Sequence, residues 1–319
     1  MLCRVITRRT FKEVAMRTLT TLAVMSAMTL SIHATAADAT FNTHAQIGLT
    51  SNSDLAIKEL DVISSQSDTG TLLSAGLSAE FKATDALKFT PSYRYENTNY
   101  HTLDQYDLSL HQYGLDTNYK LTHTDIGFRY DGATAQVANK TFLTLDQGSL
   151  YIGHFVNNTT YLRAALKAGE KQFTTQPARD AQSLGLDTSL FYFINQGNTM
   201  LLLGASLDKE EATEQQYDFS GWTLNTRVSH TFTAFGNTNK ASIGWRYQDK
   251  DYQENPNDML TEPTPSRDES RHILTAHWQL SLLDSLSLIT EAEYGDYQSQ
   301  LEANTYTQSI ASISLRAEF

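Results

Sequence analysis

Over most of its length the chain alternates apolar and polar residues with a period of two. The alternating stretches are joined by connections that are in turn short and long. Short connections fall near 83–86, 121–124, 157–159, 194–198, 233–238 and 282–285, and long ones near 97–106, 136–141, 169–180, 209–218, 249–269 and 297–305. A period of two puts successive side chains on opposite faces of a β-strand. Segregating short from long connections gives the sheet two unlike ends. A soluble sandwich has no reason to do that, whereas a transmembrane barrel has short periplasmic turns and longer outer loops. The pattern therefore predicts an all-β, antiparallel, up-and-down transmembrane β-barrel of about 14 strands.

Individual strands show the rule. The first, Phe41 to Thr50, collects Phe41, Ala45, Ile47 and Leu49 on one face, and a long polar connection from Ser51 to Gly70 follows. Strand two, Thr71 to Lys82, alternates Leu73, Ala75, Leu77, Ala79 and Phe81 with Ser74, Gly76, Ser78 and Glu80. Strand three carries Pro91, which lacks an amide donor and predicts a bulge or an unpaired position. Strands four, six and nine alternate poorly and are expected to be bulged or misjudged at their ends. Strands of 9–12 residues, tilted, cross a membrane core of roughly 25 Å.

The last strand, Tyr306 to Phe319, alternates to its terminal aromatic. It is expected to pair with the first strand, which removes the free sheet edge. Phe81, Phe89, Tyr119, Phe155, Tyr192, Phe232, Trp278 and Phe319 lie toward the short-turn ends. Tyr95, Tyr130, Trp222, Tyr247 and Tyr294 lie toward the other. Two such belts suit the two membrane interfaces.

The N-terminus reads as an address. Arg4, Arg8, Arg9, Lys12 and Arg17 precede the apolar run from Leu19 to Ile32, and Ala34-Thr35-Ala36 offers a small-x-small cleavage site. This predicts a secretory signal peptide over residues 1–36 and a barrel over 37–319. Arg8-Arg9 also resembles a twin-arginine signal, and a start at Met16 leaves an ordinary short one. Five of the 24 basic residues and one of the 36 acidic ones lie in 1–36, leaving 19 against 35, a net charge of -16. Such a balance argues against nucleic acid as a partner. Cys3 is the only cysteine and lies upstream of the cleavage site. The expected location is the outer membrane of a Gram-negative bacterium. The expected partners are outer-membrane lipid, lipopolysaccharide and the barrel-assembly machinery, the last reached through the strand that ends at Phe319.

Chemistry is expected on the polar face. Alternation places Arg94, Arg129, Arg163, Arg227, Arg246, Arg271 and Arg316 inside, with Glu80, Asp125, Asp187, Glu291 and Glu293. Arg246 and Arg271 are expected to be neighbours on adjacent strands, with Glu291 and Glu293 on the next. Arginines facing carboxylates across a lumen would orient water and select solutes, or would lock into a plug of side chains. The candidate pore-lining residues are Arg94, Arg129, Arg163, Arg227, Arg246, Arg271, Glu291 and Glu293. Ser109 and His111, two apart on one strand face, are the one pair that would suit a membrane lipase, and no third residue can be named to orient them. The nine histidines show no ligand spacing, so neither a metal nor another cofactor is indicated. The connection Asp249 to Glu269, acidic with three prolines, is the outer loop expected to carry partner contacts or to fold inward.

In Thr50-Ser51-Asn52-Ser53-Asp54 the first strand ends in a polar run. From Arg267-Asp268 onward an Arg-Asp pair opens a strand, Leu282 to Leu288 forms a turn, and Tyr306 leads the closing strand. In these features the chain resembles the roughly fourteen-stranded barrel of the surface lipoprotein assembly modifier proteins. It is also similar to the barrels of tetratricopeptide-linked polysaccharide exporters. The resemblance implies outward movement of a lipoprotein or polymer. Those families carry helical repeats before the barrel, whereas here the barrel is expected to start within a few residues of the cleavage site. Taken together, the residues predict a transport or translocation barrel rather than an enzyme, the alternative being a closed structural or adhesive barrel that acts through its loops.

Overall fold

The computed structural model describes residues 39–253 and 267–319. The proposed signal peptide and most of the 249–269 connection lie outside the described residues. Sixteen strands occur in chain order: β1 (Ala39–Asn52), β2 (Leu55–Ile57), β3 (Val62–Ser64), β4 (Asp68–Lys82), β5 (Leu87–Tyr100), β6 (Leu108–Lys120), β7 (Thr124–Val137), β8 (Lys140–Asn157), β9 (Thr160–Phe173), β10 (Ala181–Ile194), β11 (Thr199–Ala212), β12 (Phe219–Ala234), β13 (Asn237–Tyr252), β14 (Glu269–Leu283), β15 (Leu286–Ser299) and β16 (Tyr306–Glu318). β1 and β4–β16 form one closed antiparallel barrel of fourteen strands, and β2 and β3 pair separately inside the first connection.

Closure is made by the strands expected to make it. β16 pairs with β1 from His44↔Glu318 to Asn52↔Ile310. The amide of Phe319 donates to the Thr43 carbonyl at 2.9 Å, and the Thr43 amide donates back at 3.1 Å, so the seam is hydrogen-bonded to the last residue.

Alternation sorts the faces. Ile47, Leu49, Leu77, Leu150, Leu166, Leu184, Leu207, Ile243 and Ile313 point outward and are exposed. The polar residues between them point to the lumen, as the period of two requires. An apolar exterior that wide suits lipid and not water. Among the belt residues, Phe41 and Phe81 pack edge-to-face at 6.2 Å on the short-turn side. On the other side Trp222 lies 5.0 Å from Tyr247. Phe155 departs from the belt: its ring packs 4.8 Å from Tyr161, whose hydroxyl donates to the lumenal Asp125, so Phe155 faces inward.

The barrel strands run 13–18 residues, longer than expected. At about 3.3 Å per residue and a tilt near 40°, fourteen residues rise roughly 35 Å. The wall therefore stands about 10 Å beyond a 25 Å apolar band. The excess is at the long-loop end, where strands run into stretches that looked like loop. The connection expected over 136–141 is the extreme case. It is a two-residue turn, Ala138-Asn139, with φ of 48° and 62°. Positive φ at both central positions is the geometry whose twist matches a hairpin.

β8 is bulged, as its poor alternation suggested. Phe142 is an extra residue against β7, and Val156 one against β9. The expected irregularities in strands four and nine are absent: β6 and β11 keep uniform register with both neighbours. Their mixed polarity reflects inward apolar residues, Leu110 on β6 and Met200 and Leu202 on β11, and not a change of face. At Pro91 the ladder with β4 skips from Ser78↔Ser92 to Phe81↔Phe89 with no shift of register, two unpaired positions without a bulge.

Candidate functional site: the lumen and its first loop

The first connection folds into the barrel mouth. It had read as a polar loop, but it contains Leu55, Ala56, Ile57, Leu60, Val62 and Ile63, six apolar residues in nine. Leu55–Ile57 and Val62–Ser64 pair as a small hairpin around a 3-10 turn at Lys58–Leu60. Ile57 packs with Ala135 of β7 and Phe142 of β8, and Leu60, Tyr106, Leu110, Val137 and Leu143 close around them. The β8 bulge puts Phe142 into this contact, where its ring is only 6% exposed. Burying a side chain of this size contributes about 1.5–3 kcal/mol. The tall β7–β8 hairpin with its two-residue turn supplies the wall against which the loop rests.

The far end of the loop is fixed by charge. Asp61, at φ 53°, receives Arg267 through two hydrogen bonds of 2.6 and 2.7 Å, and Arg179 donates to the same carboxylate. Arg179 also donates to the Glu59 carbonyl at 2.8 Å. Arg179 lies between β9 and β10 and Arg267 just before β14, so the loop that leaves β1 is held on distant parts of the rim. All three side chains are at most 20% exposed. Burial would raise the Asp61 pKa, but hydrogen bonds and charge from Arg267 and Arg179 outweigh it and hold the carboxyl below its ordinary range. Arg267 shifts the other way: burial lowers its pKa, but Asp61, with Tyr252 and Glu269 nearby, outweighs this and raises it above its ordinary range. Each arginine also lies over Tyr217, at 4.7 and 5.8 Å from the ring centroid. At its base the loop is tied down by Gln308, which donates to Asn52 Oδ1 at 3.2 Å and to the Asp54 carbonyl at 2.6 Å.

Below the loop the lumen is not filled by side chains. It holds cavities of about 330, 550 and 890 Å³. The largest, toward the short-turn end, is lined by residues that include His44, Arg94, Arg129, Asp131, Arg316 and Glu318.

Strand parity places every arginine of the expected set on the lumenal face, opposite the outward apolar residues. Their partners differ from expectation. Arg94 meets Glu96 at 3.6 Å, Arg129 meets Asp131 at 2.8 Å, and Arg316 meets Glu318 at 2.9 Å. In each pair the carboxylate lies two residues along the same strand. The charges are therefore neutralised along the wall and not across it. Lys167 bridges Asp187 and Asp208, at 2.9 and 3.2 Å, and Lys171 binds Glu210. Asp125 accepts from Asn118 and Tyr161, while Arg163 lies 4.0 Å over the Tyr151 ring.

Five of the remaining lumenal cations share one wall. Arg227 of β12, Lys240, Arg246 and Lys250 of β13 and Arg271 of β14 have no carboxylate within 4.0 Å among the described residues. Arg227 is opposite Gly244 and Arg271 opposite Gln248, so the five fall at β13 levels 240, 244, 246, 248 and 250. They form a ladder along the lumen. Arg246 and Arg271 are diagonal neighbours: Arg246 itself pairs with Ile273. Glu291 and Glu293 lie on β15, opposite His277 and Thr275. They line the 550 Å³ cavity together with Arg227 and Lys240. Lys240 and Lys250 were missing from the expected set because its only cations were arginines. The parity they share with Arg246 was the signal that could have found them.

Ser109 and His111 do not meet as a catalytic pair. Ser109 Oγ accepts from Asn97 at 2.9 Å, and His111 Nδ1 is 2.8 Å from the Tyr93 hydroxyl, on the outward face. Among the described residues no group of three His, Cys, Asp or Glu side chains could hold a metal ion.

No family model matches the chain, and no curated protein matches it. Solved structures do. The anion-selective porin from Comamonas acidovorans aligns over 88% of this chain and 99% of its own, with 10% identity and a TM-score of 0.52. The outer-membrane channel DcaP of Acinetobacter baumannii aligns over 89% and 99%, with 10% identity and a TM-score of 0.52. CdiB from Acinetobacter baumannii aligns over 88% of this chain but 60% of its own, again with 10% identity, at a TM-score of 0.53. At such identities the likeness is one of fold, and the fold it establishes is that of the outer-membrane β-barrels.

Proposed function

We propose that the protein is an outer-membrane channel for small anionic solutes, with its first loop as the constriction at the outer mouth. The observation that carries this reading is the ladder of Arg227, Lys240, Arg246, Lys250 and Arg271, five cations on one wall with no carboxylate within 4.0 Å among the described residues, while Arg94, Arg129, Lys167, Lys171 and Arg316 are each ion-paired. Unpaired fixed charge in a confined lumen raises the local concentration of the opposite ion. Lumenal cavities of several hundred Å³ leave room for a hydrated ion or small molecule. That one structural neighbour is described as an anion-selective porin agrees with this reading.

Planar bilayers under a salt gradient test it. The reversal potential is expected to show anion preference, and Arg227→Glu and Arg246→Glu are expected to move it toward cations. A purified barrel that passes no current would overturn the channel reading and leave a closed barrel acting through its outer loops. Export of a lipoprotein or polymer, which the sequence resemblance implies, would require the first loop to leave the lumen.

A further inference from the structure

The upper end of the ladder holds buried polar atoms whose hydrogen-bonding capacity is unused among the described residues. Lys250 and Arg271 are diagonal neighbours on β13 and β14, and both line the 330 Å³ cavity under the tip of the first loop. Two of the carboxylates that line this cavity are already engaged: Glu210 with Lys171, and Glu269 with Arg267 at 3.0 Å. The Lys250 ammonium lies 4.1 Å from the Phe219 ring centroid, a contact that orients it without neutralising it. Arg271 Nε and Gln248 Oε1 are both buried without a hydrogen-bond partner among the described residues. Gln248 uses its other amide atom, Nε2, to donate to Thr223 at 3.2 Å. Leaving buried polar atoms unpaired is costly, and native proteins rarely do so without a reason.

We propose that Lys250, Arg271 and Gln248 form a binding site for a small hydroxycarboxylate at the outer end of the lumen. A carboxylate accepts from Arg271 Nε and meets the Lys250 ammonium, the charge-assisted pairing that arginine and lysine favour. Gln248 Oε1 needs a donor, which a carboxylate lacks and a neighbouring hydroxyl supplies. The two demands together select a molecule with both groups. The cavity lies at the lower end of the range for small-ligand sites. The site rests on the channel reading only for the route by which the solute arrives, so binding and conduction are measured separately.

Gluconate serves as the probe, with propionate lacking the hydroxyls and sorbitol lacking the charge. Binding to the full-length protein in detergent is read by equilibrium dialysis with radiolabelled gluconate. Saturable binding at one site is expected, with propionate and sorbitol at least tenfold weaker as competitors. Lys250→Gln and Arg271→Gln should each weaken gluconate at least tenfold, and Gln248→Leu should bring gluconate down to propionate. Arg316→Gln, at the other end of the barrel, should leave it unchanged. Folding of each variant is checked by the mobility shift between unheated and heated samples on denaturing gels, and Arg271→Lys is the conservative substitute where Gln fails to fold. Wild-type protein without saturable binding, or folded Lys250 and Arg271 variants with unaltered affinity, overturns the site. Gluconate binding by a barrel that carries no current refutes the channel and keeps the site. Anion-selective current without gluconate binding does the reverse.

Discussion

The clearest test of how the mouth is closed is Asp61→Asn. Asn keeps the shape and tolerates the left-handed backbone at φ 53°, where Ala would add strain unrelated to the charge. The substitution removes the only carboxylate of a nearly dry triad and leaves Arg179 facing an amide, with only Glu269 left near Arg267. Removing one member of a buried pair costs about 3–5 kcal/mol. With the three side chains still 13–20% exposed, the lower end applies, about 3 kcal/mol. At 1.4 kcal/mol per tenfold this shifts the ratio of docked to undocked loop by roughly 150. The Ile57–Phe142 contact remains and still favours docking, so the variant should visit the open mouth more often without losing the closed one. Hydrogen exchange reads this directly. Amides of the β2–β3 hairpin should exchange on the order of 100-fold faster at neutral pH, while those of β10 stay unchanged. Acceleration below about threefold would mean that the clasp does not hold the loop. Equal acceleration in β10 would mean that the substitution loosens the whole barrel.

The other expectations are briefer. Because the Asp61 carboxyl is held below its ordinary range, its contribution is complete above the unfolded value and is lost as pH falls through the folded one. Loop exchange should therefore stay flat from pH 8 to 5, once corrected for intrinsic rates, and rise only in acid below about pH 4. Phe142→Ala should destabilise loop docking by about 3 kcal/mol through lost burial and should add to Asp61→Asn, because the two contacts share no partner. A Cβ at Gly153 would lie 1.8 Å from the Tyr161 hydroxyl, so Gly153→Ala should break the Tyr161–Asp125 bond and lower the temperature at which the barrel loses its folded gel mobility.

The barrel was legible from the sequence, because parity and loop segregation are properties of the whole chain and tolerate local error. The parity that Arg94, Arg129 and Arg316 share with the polar residues of their strands could be read for that reason. Their pairing was not legible: parity says which way a side chain points but not whether it bends along its own strand, as Arg129 does to reach Asp131. Bulges were legible only where they displaced a large apolar side chain, as at Phe142, and inward Leu110 and Leu202 imitated them on β6 and β11. The folded first loop was missed because its hairpin strands are three residues each, too short to show a period. Its apolar content was the available clue. Asp61, Arg179 and Arg267 lie 88 to 206 positions apart in sequence, and only the closed ring of strands brings them together.

The clasp and the ladder also bear on one another. Glu59, Arg179, Lys250, Arg267 and Arg271 line one cavity, so the acidic tip of the loop sits at the upper end of the basic wall. While the loop is docked, Asp61 neutralises much of the charge of two rim arginines. When it leaves, Arg179 joins the five cations of the ladder and Arg267 keeps only Glu269, so the mouth becomes both wider and more basic. An increase in width alone would weaken discrimination between ions, since solvated charges are screened over about 10 Å at 0.1 M salt. The added rim charge acts in the opposite direction and fades as salt is raised. In the proposed anion channel, opening the loop should therefore strengthen anion preference in dilute salt and relax it in concentrated salt, a reversal that a simple plug would not produce.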